Sequence, residues 1–277
     1  MTSTADSVND GAQVTLRAAI ESIDADADVN PAVTANRVGP YLGGNPSPDE
    51  IVFDIAGSGV HTIDLTSALP AISEPMIIDG YTQPGASPNT DPTGEGLNSL
   101  LLIEIDAANA GYLPSGVLDL AAGDSTVRGL VINQAQGPDI ELYGGSGNLI
   151  EGDFLGTDAS GTQIFPPNSS SGGTLDGIYL KSSTCNTIGG TAAADRNLIS
   201  GNGDNGVEIP LYLDTDNLIQ GNLIGTDITG TKALGNGVSG VDMYGGNGSN
   251  STVGGTAPAR AMSSPATRSA SRSPAPT

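Results

Sequence analysis

Carboxylates are the plentiful reactive groups of this 277-residue chain: 31 Asp plus Glu stand against nine Lys plus Arg, one His and one Cys. Asp158 and Asp227 hold the same place in two Gly-Thr-Asp turns. Stacked turns would set them along one edge, and an acidic row of that kind could hold calcium, which takes six to eight oxygens. The competing reading is that each Asp closes its own turn through its side chain. Glycoside hydrolysis needs converging carboxylates with one pKa raised, and Asp153, Asp158 and Asp176 are the candidates. Elimination at an acidic sugar needs a base, for which the repeats offer Arg128, Lys181, Arg196 and Lys232. Of these Arg196 is the catalytic candidate, with backbone carbonyls as its competing partners. Phe165, in the insertion Gln163–Thr174 that breaks the repeat, and Tyr179 are candidate carbohydrate contacts. A plain surface loop is the alternative for the insertion. The lone His61 rules out a His-cluster zinc site, and the lone Cys185 rules out an intramolecular disulfide. His61 reads as a strand residue and Cys185 as a small apolar packing group.

These groups sit in an unusual background. The formal net charge is −22, and residues 1–259 hold six bases against 31 acids, a formal −25. Such a field repels phosphate, so duplex nucleic acid and anionic membrane surfaces are excluded as partners. What remains is neutral sugars, cations and basic proteins. Forty glycines argue against a helical bundle, because each interior Gly costs a helix about 1 kcal/mol relative to Ala. No apolar run reaches the length of a membrane span, and the residues after Met1 carry no signal-peptide pattern.

The elements that must position the carboxylates are short strands in a repeat. Asn148–Thr162 reads NLIEGDFLGTDASGT and Asn217–Thr231 reads NLIQGNLIGTDITGT, an offset of 69 residues. NTIGGT at Asn186–Thr191 returns as STVGGT at Ser251–Thr256, and NLISGN at Asn197–Asn202 repeats the Asn-Leu-Ile element. DGIYL (Asp176–Leu180), NGVEI (Asn205–Ile209) and SGVDM (Ser239–Met243) form a second alternating series, in which Asp176, Glu208 and Asp242 are expected to face outward. Each element is β-branched, four to six residues long, and bounded by turn residues. The 69-residue offset divides into three turns of 23, and stacking such turns buries their inward Leu, Ile and Val against one another. Asn148, Asn186, Asn197 and Asn217 then stack at one corner as a hydrogen-bonded ladder, the alternative being that each is an independent turn residue.

The N-terminal half offers further strands at IVFDI (Ile51–Ile55), HTIDL (His61–Leu65), MIIDG (Met76–Gly80), LLIEI (Leu101–Ile105), GVLDL (Gly116–Leu120) and STVRGLVI (Ser125–Ile132). One helix is predicted: Leu16, Ala19, Ile20 and Ile23 follow a helical period, with Thr15 as N-cap. That helix would cover the open end of the stack. The resulting fold class is all-β, a single-stranded right-handed parallel β-helix of pectin-lyase-like form with a short N-terminal capping helix. Its organisation reads as a cap at 1–30, less regular turns at 31–135, regular repeats at 136–257, and a disordered tail at 258–277.

GNLIGTDITGTKALGN (Gly221–Asn236) and RNLISGN (Arg196–Asn202) resemble the secreted right-handed parallel β-helix repeat proteins of bacteria. STADSVNDGAQVTLRAAI (Ser3–Ile20) is similar to the CSLREA domain at the head of such proteins, and MIIDGYTQPGASPNT (Met76–Thr90) to their first turns. Val14, Thr15 and Ala18 replace the Cys, Ser and Glu of that signature, so whatever the Cys does is absent here. The resemblance implies a secreted or cell-surface habit and no settled catalytic activity.

After Gly255 the glycines stop, and Ser, Pro, Ala and Arg take over. One permitted codon choice for Ala261–Thr267, read one frame away, encodes Asn-Val-Ile-Ser-Gly-Asn, so the tail reads as a frameshift product that cuts the repeats short. The expectation for function is a structural or adhesive β-solenoid that binds a polysaccharide, a cell-surface glycan or a cation. The alternative is a polysaccharide lyase or glycoside hydrolase acting on an acidic polysaccharide.

Overall fold

The computed structural model describes residues 1–8, 11–30, 32, 48–165, 175–210, 214–244 and 250–255. The tail 258–277 and most of the insertion at 163–174 lie outside them. One nine-residue helix, α1 (Leu16–Asp24), precedes the strands. Thr15 caps it as the sequence predicts, its hydroxyl accepting from the Ala18 N–H at 3.1 Å. Leu16 and Ile20 are fully buried in the core, and Ala19 and Ile23 pack partly buried beside them.

Eighteen short strands follow among the described residues. The first five are β1 (Asp49–Val52), β2 (His61–Asp64), β3 (Met76–Asp79), β4 (Ile103–Asp106) and β5 (Leu118–Leu120). Next come β6 (Thr126–Arg128), β7 (Leu130–Asn133), β8 (Ile140–Tyr143), β9 (Leu149–Glu151), β10 (Phe154–Leu155) and β11 (Ile178–Lys181). The last are β12 (Thr187–Gly189), β13 (Leu198–Ile199), β14 (Val207–Ile209), β15 (Leu218–Gln220), β16 (Leu223–Ile224), β17 (Val241–Met243) and β18 (Thr252–Val253). They form three sheets of seven, six and five strands, and every strand pairing within them is parallel. From β3 to β18 the chain visits the seven-, six- and five-stranded sheets in strict rotation, each strand pairing with the third one after it until the sheets end, while β3 and β4 pair back with β1 and β2. The rotation runs through residues 135 and 136 without a break.

Inside, like residues stack. Ile78, Val127, Ile150, Ile188 and Ile219 form one column, and Ile105, Ile132, Leu155 and Ile199 another. All belong to one buried cluster. Burying such a side chain stabilises the fold by about 1.5–3 kcal/mol. Corners need special geometry. The predicted single strand Ser125–Ile132 is in fact two strands in different sheets, because Gly129 at φ +73° turns the chain between them.

Two sequence expectations change here. Successive turns along the asparagine corner are 23, 38, 31 and 34 residues long. The 69-residue offset is therefore two turns, not three of 23: strands keep their length while the loops between them do not. The ladder is also split. Asn148, Asn186 and Asn217 share one corner, each backbone N–H donating to the next turn's side-chain oxygen at 2.9–3.1 Å. Asn197 belongs to a second corner with Asp153 and Asn222. Asn-Leu-Ile serves both corners, so its third copy misleads. A third corner joins Asn202 to Asn236.

A second apolar cluster lies outside the six-stranded sheet, where Val131, Phe154, Leu198 and Leu223 are covered by Leu97, Leu101, Tyr81, Ala159 and Ile228. Tyr81, Leu97 and Leu101 belong to a strap between β3 and β4, and Ala159 and Ile228 to the loops after β10 and β16. The Leu97 N–H donates to the Ile228 carbonyl at 2.8 Å, and the Asn89 amide to the Ala193 carbonyl at 2.8 Å. Cys185 does not pack as a core group: it is exposed at a corner with φ +58°.

Candidate functional site

The outer face of the five-stranded sheet carries the densest chemistry. Side chains alternate across a strand. Ile140, Leu142, Ile178, Leu180, Val207 and Ile209 are wholly buried in the core, so Glu141, Tyr179 and Glu208 between them point outward. The register aligns Asp119, Glu141, Tyr179, Glu208 and Asp242 as one row across five strands. A second row places Lys181 opposite Tyr143, with Tyr244 just beyond β17. The Lys181 ammonium lies 3.2 Å from Glu141 Oε1 and 4.9 Å from the centre of the Tyr143 ring. The Tyr244 hydroxyl donates to Glu208 Oε1 at 3.0 Å, and the Asn205 amide to Glu208 Oε2 at 2.7 Å. Tyr143 and Tyr244 are 48% and 43% exposed, so their rings are open to a ligand.

Two more carboxylates stand where the chain enters this sheet. The Asp139 N–H donates to the Asp176 carbonyl at 2.9 Å, and Asp176 Oδ1 accepts from the Asn205 N–H at 2.7 Å. Asp139 lines a groove with Gln134, Asn202 and Phe165, about 30 Å³ in volume, which is room for a water-sized group. Burial raises the Asp139 carboxyl well above the usual range, and the neighbouring Asp176 charge adds to this. Burial also pushes Asp176 up to about 7; Asn205 opposes the shift, and Glu208 and Asp204 reinforce it. Glu141 and Asp119 are raised by burial, with Lys181 pulling both back. Five acceptor atoms here meet no donor from the described protein: Asp119 Oδ1, Asp139 Oδ2, Glu141 Oε2, Asp176 Oδ2 and Asn205 Oδ1. Chemically, the face accepts hydrogen bonds, offers rings for stacking, and holds a proton on a carboxyl near neutrality.

The structure thus brings Tyr179, Asp176 and Phe165 to one region and leaves the other candidates elsewhere. Asp153 is buried at the second corner, Oδ1 accepting from the Leu130 N–H at 2.8 Å. Its charged neighbours are Glu151 and Asp79. Asp158 is spent on its own loop, accepting from Ser160, Thr162 and Gln163. Asp227 does the same with Thr229, Thr231 and Lys232. Burial opposes ionisation of Asp227, but those hydrogen bonds outweigh it and hold the carboxyl below its usual range. Among the described residues no group of three or more His, Cys, Asp or Glu could hold a metal ion. Arg196 donates to the carbonyls of Gly221, Pro92, Gly96 and Glu95 at 3.0–3.2 Å, which ties the strap to the last turns.

Sequence reasoning missed Asp119, Asp139, Glu141, Tyr143 and Tyr244. The signal was present: DIELY at Asp139–Tyr143 has the alternation of DGIYL and NGVEI, and aligning the three would have placed Glu141 and Tyr143 on the outer face. No protein-family model matches the chain, and no curated protein is significantly similar to it. No helix among the described residues is long and apolar enough to cross a membrane.

Proposed function

We propose that the chain is a right-handed parallel β-helix, secreted or held at a cell surface, that binds a glycan along the outer face of its five-stranded sheet. The strict rotation through three parallel sheets supports the coil, and the chirality of parallel crossovers supports the right hand. The CSLREA-like start supports export. One observation carries the binding reading: Tyr143, Tyr179 and Tyr244 stand among the carboxylates of one rigid face. They span three interstrand steps, roughly 14 Å, long enough for several sugar rings. Carbohydrate recognition combines stacking on aromatic faces with fixed hydrogen-bond acceptors, and this face presents both.

Affinity electrophoresis against a panel of polysaccharides tests the reading. Retardation by at least one polymer, weakened about tenfold or more by Tyr143→Ala with Tyr179→Ala, supports it. A folded protein that no polymer retards overturns it. A second reading, glycoside hydrolysis, is favoured by Asp176, held near neutrality beside Glu208 as a protonated acid beside a potential base. New reducing ends that vanish with Asp176→Asn would establish it.

A further inference from the structure

We infer that the glycan this face accepts is cationic, a polymer of 2-amino sugars carrying free ammonium groups; the inference rests on the glycan-binding reading above. Carboxylates outnumber the one ammonium group on this face. Asp119, Glu141, Glu208 and Asp242 supply four carboxylates to one row, and Asp139 and Asp176 add two at its edge. Asp139, Glu141 and Asp176 are 3%, 1% and 1% exposed, yet each keeps one oxygen without a donor among the described residues. A buried acceptor with no partner is costly, and close carboxylates cannot all ionise without a countercharge. An ammonium group answers both needs, because it brings three donors, a positive charge and no acceptor. A sugar hydroxyl brings a donor together with lone pairs, and a uronate brings a like charge.

The protein already shows the arrangement such a ligand would repeat. Lys181 holds its ammonium between Glu141 Oε1 and the Tyr143 ring, a combined ion pair and cation–π contact. Glu208 with Tyr179 and Tyr244 offers the same carboxylate-and-ring pairing farther along the face, with no lysine opposite. A single metal ion fits less well, because no three carboxylates among the described residues come close enough to share one. Ammonium groups spaced along a polymer meet the acceptors one turn at a time.

The test is titration calorimetry of the full chain with a glucosamine hexamer, its N-acetylated counterpart and a galacturonate hexamer at mildly acidic pH. Glu141→Gln with Glu208→Gln removes charge from the face, while Asp54→Asn with Asp64→Asn removes the same charge from exposed positions elsewhere. The expected result is binding of the glucosamine hexamer, weakened about tenfold or more by N-acetylation and by the face pair but not by the distant pair. If the face pair does not fold, the exposed Tyr143→Ala with Tyr244→Ala takes its place and should weaken binding as much. Equal binding of the N-acetylated or galacturonate hexamer overturns the cationic inference and leaves the glycan face standing. Equal loss in the distant pair also overturns it, since the attraction would then be the general field of a chain of net charge −22. Binding of only neutral polymers in the panel sinks the cationic class alone, and binding of nothing sinks both.

Discussion

Replacing Asp153 with asparagine should stabilise this protein. Asp153 occupies a rung that the next two turns fill with Asn197 and Asn222. Each of those asparagines uses Oδ1 to accept the preceding turn's corner N–H. Each uses Nδ2 to donate to a strand carbonyl of that turn, Asn197 to Ile150 and Asn222 to Ile188, both at 2.9 Å. Val127, Ile150 and Ile188 are register partners, so the matching acceptor for residue 153 is the Val127 carbonyl. Asp153 accepts as the asparagines do, but its Oδ2 is buried and has no partner among the described residues. Burial drives its carboxyl well above the ordinary range; the Leu130 N–H opposes this, and Glu151 and Asp79 add to it. The Asp153→Asn substitution would supply the missing donor, worth about 1 kcal/mol. It would also remove a proton-binding penalty of about 1.4 kcal/mol for each pH unit between the unfolded and folded pKa. The hydrogen-bond part alone raises Tm by roughly 2–4 °C in a chain of this size, and the lost penalty adds to it near pH 7.5. The gain should shrink toward the hydrogen-bond part near pH 4. Thermal melts followed by circular dichroism at several pH values measure both. A Tm that is unchanged or lower, or a gain that does not grow with pH, refutes the ladder reasoning.

Stability as a whole should fall as pH rises from about 5 to 8. Asp139, Asp153 and Asp176 have raised folded pKa values, so the native state binds more protons there. Asp176→Asn should flatten the part of that fall near pH 7, and a Tm that climbs over this range contradicts the assignment. Arg196→Ala leaves four carbonyls without their donor and should cost about 2–3 kcal/mol. It should also speed limited proteolysis within 90–97, and unchanged protease resistance would show that the strap holds without it. Gly152→Ala puts a Cβ 2.3 Å from the Tyr81 hydroxyl at φ +70°, whereas Gly144→Ala meets nothing within 4 Å at φ +69°. The second should cost only the left-handed strain of about 1–2 kcal/mol and the first clearly more, which paired Tm values will show.

The sequence alone determined the strands, the capping helix and the inward columns of Ile, Leu and Val. These follow from local alternation, turn residues and a repeat visible by inspection. It also determined the strongly acidic charge. Only the tertiary structure decided how many turns the 69-residue repeat holds, because loop length does not mark where a strand finds its partner. For the same reason it took the structure to separate Asn197 from Asn148, Asn186 and Asn217. The carboxylates show the limit most clearly. Asp158 and Asp227 look like a shared row, yet hydrogen bonds within four or five residues absorb each of them. Asp139 and Glu141 attract no notice in the sequence, and Glu208 reads only as one outward residue of its strand. They form one face because parallel register sets residues from different turns side by side, and that register is fixed by core packing between strands, which no single segment of the chain encodes.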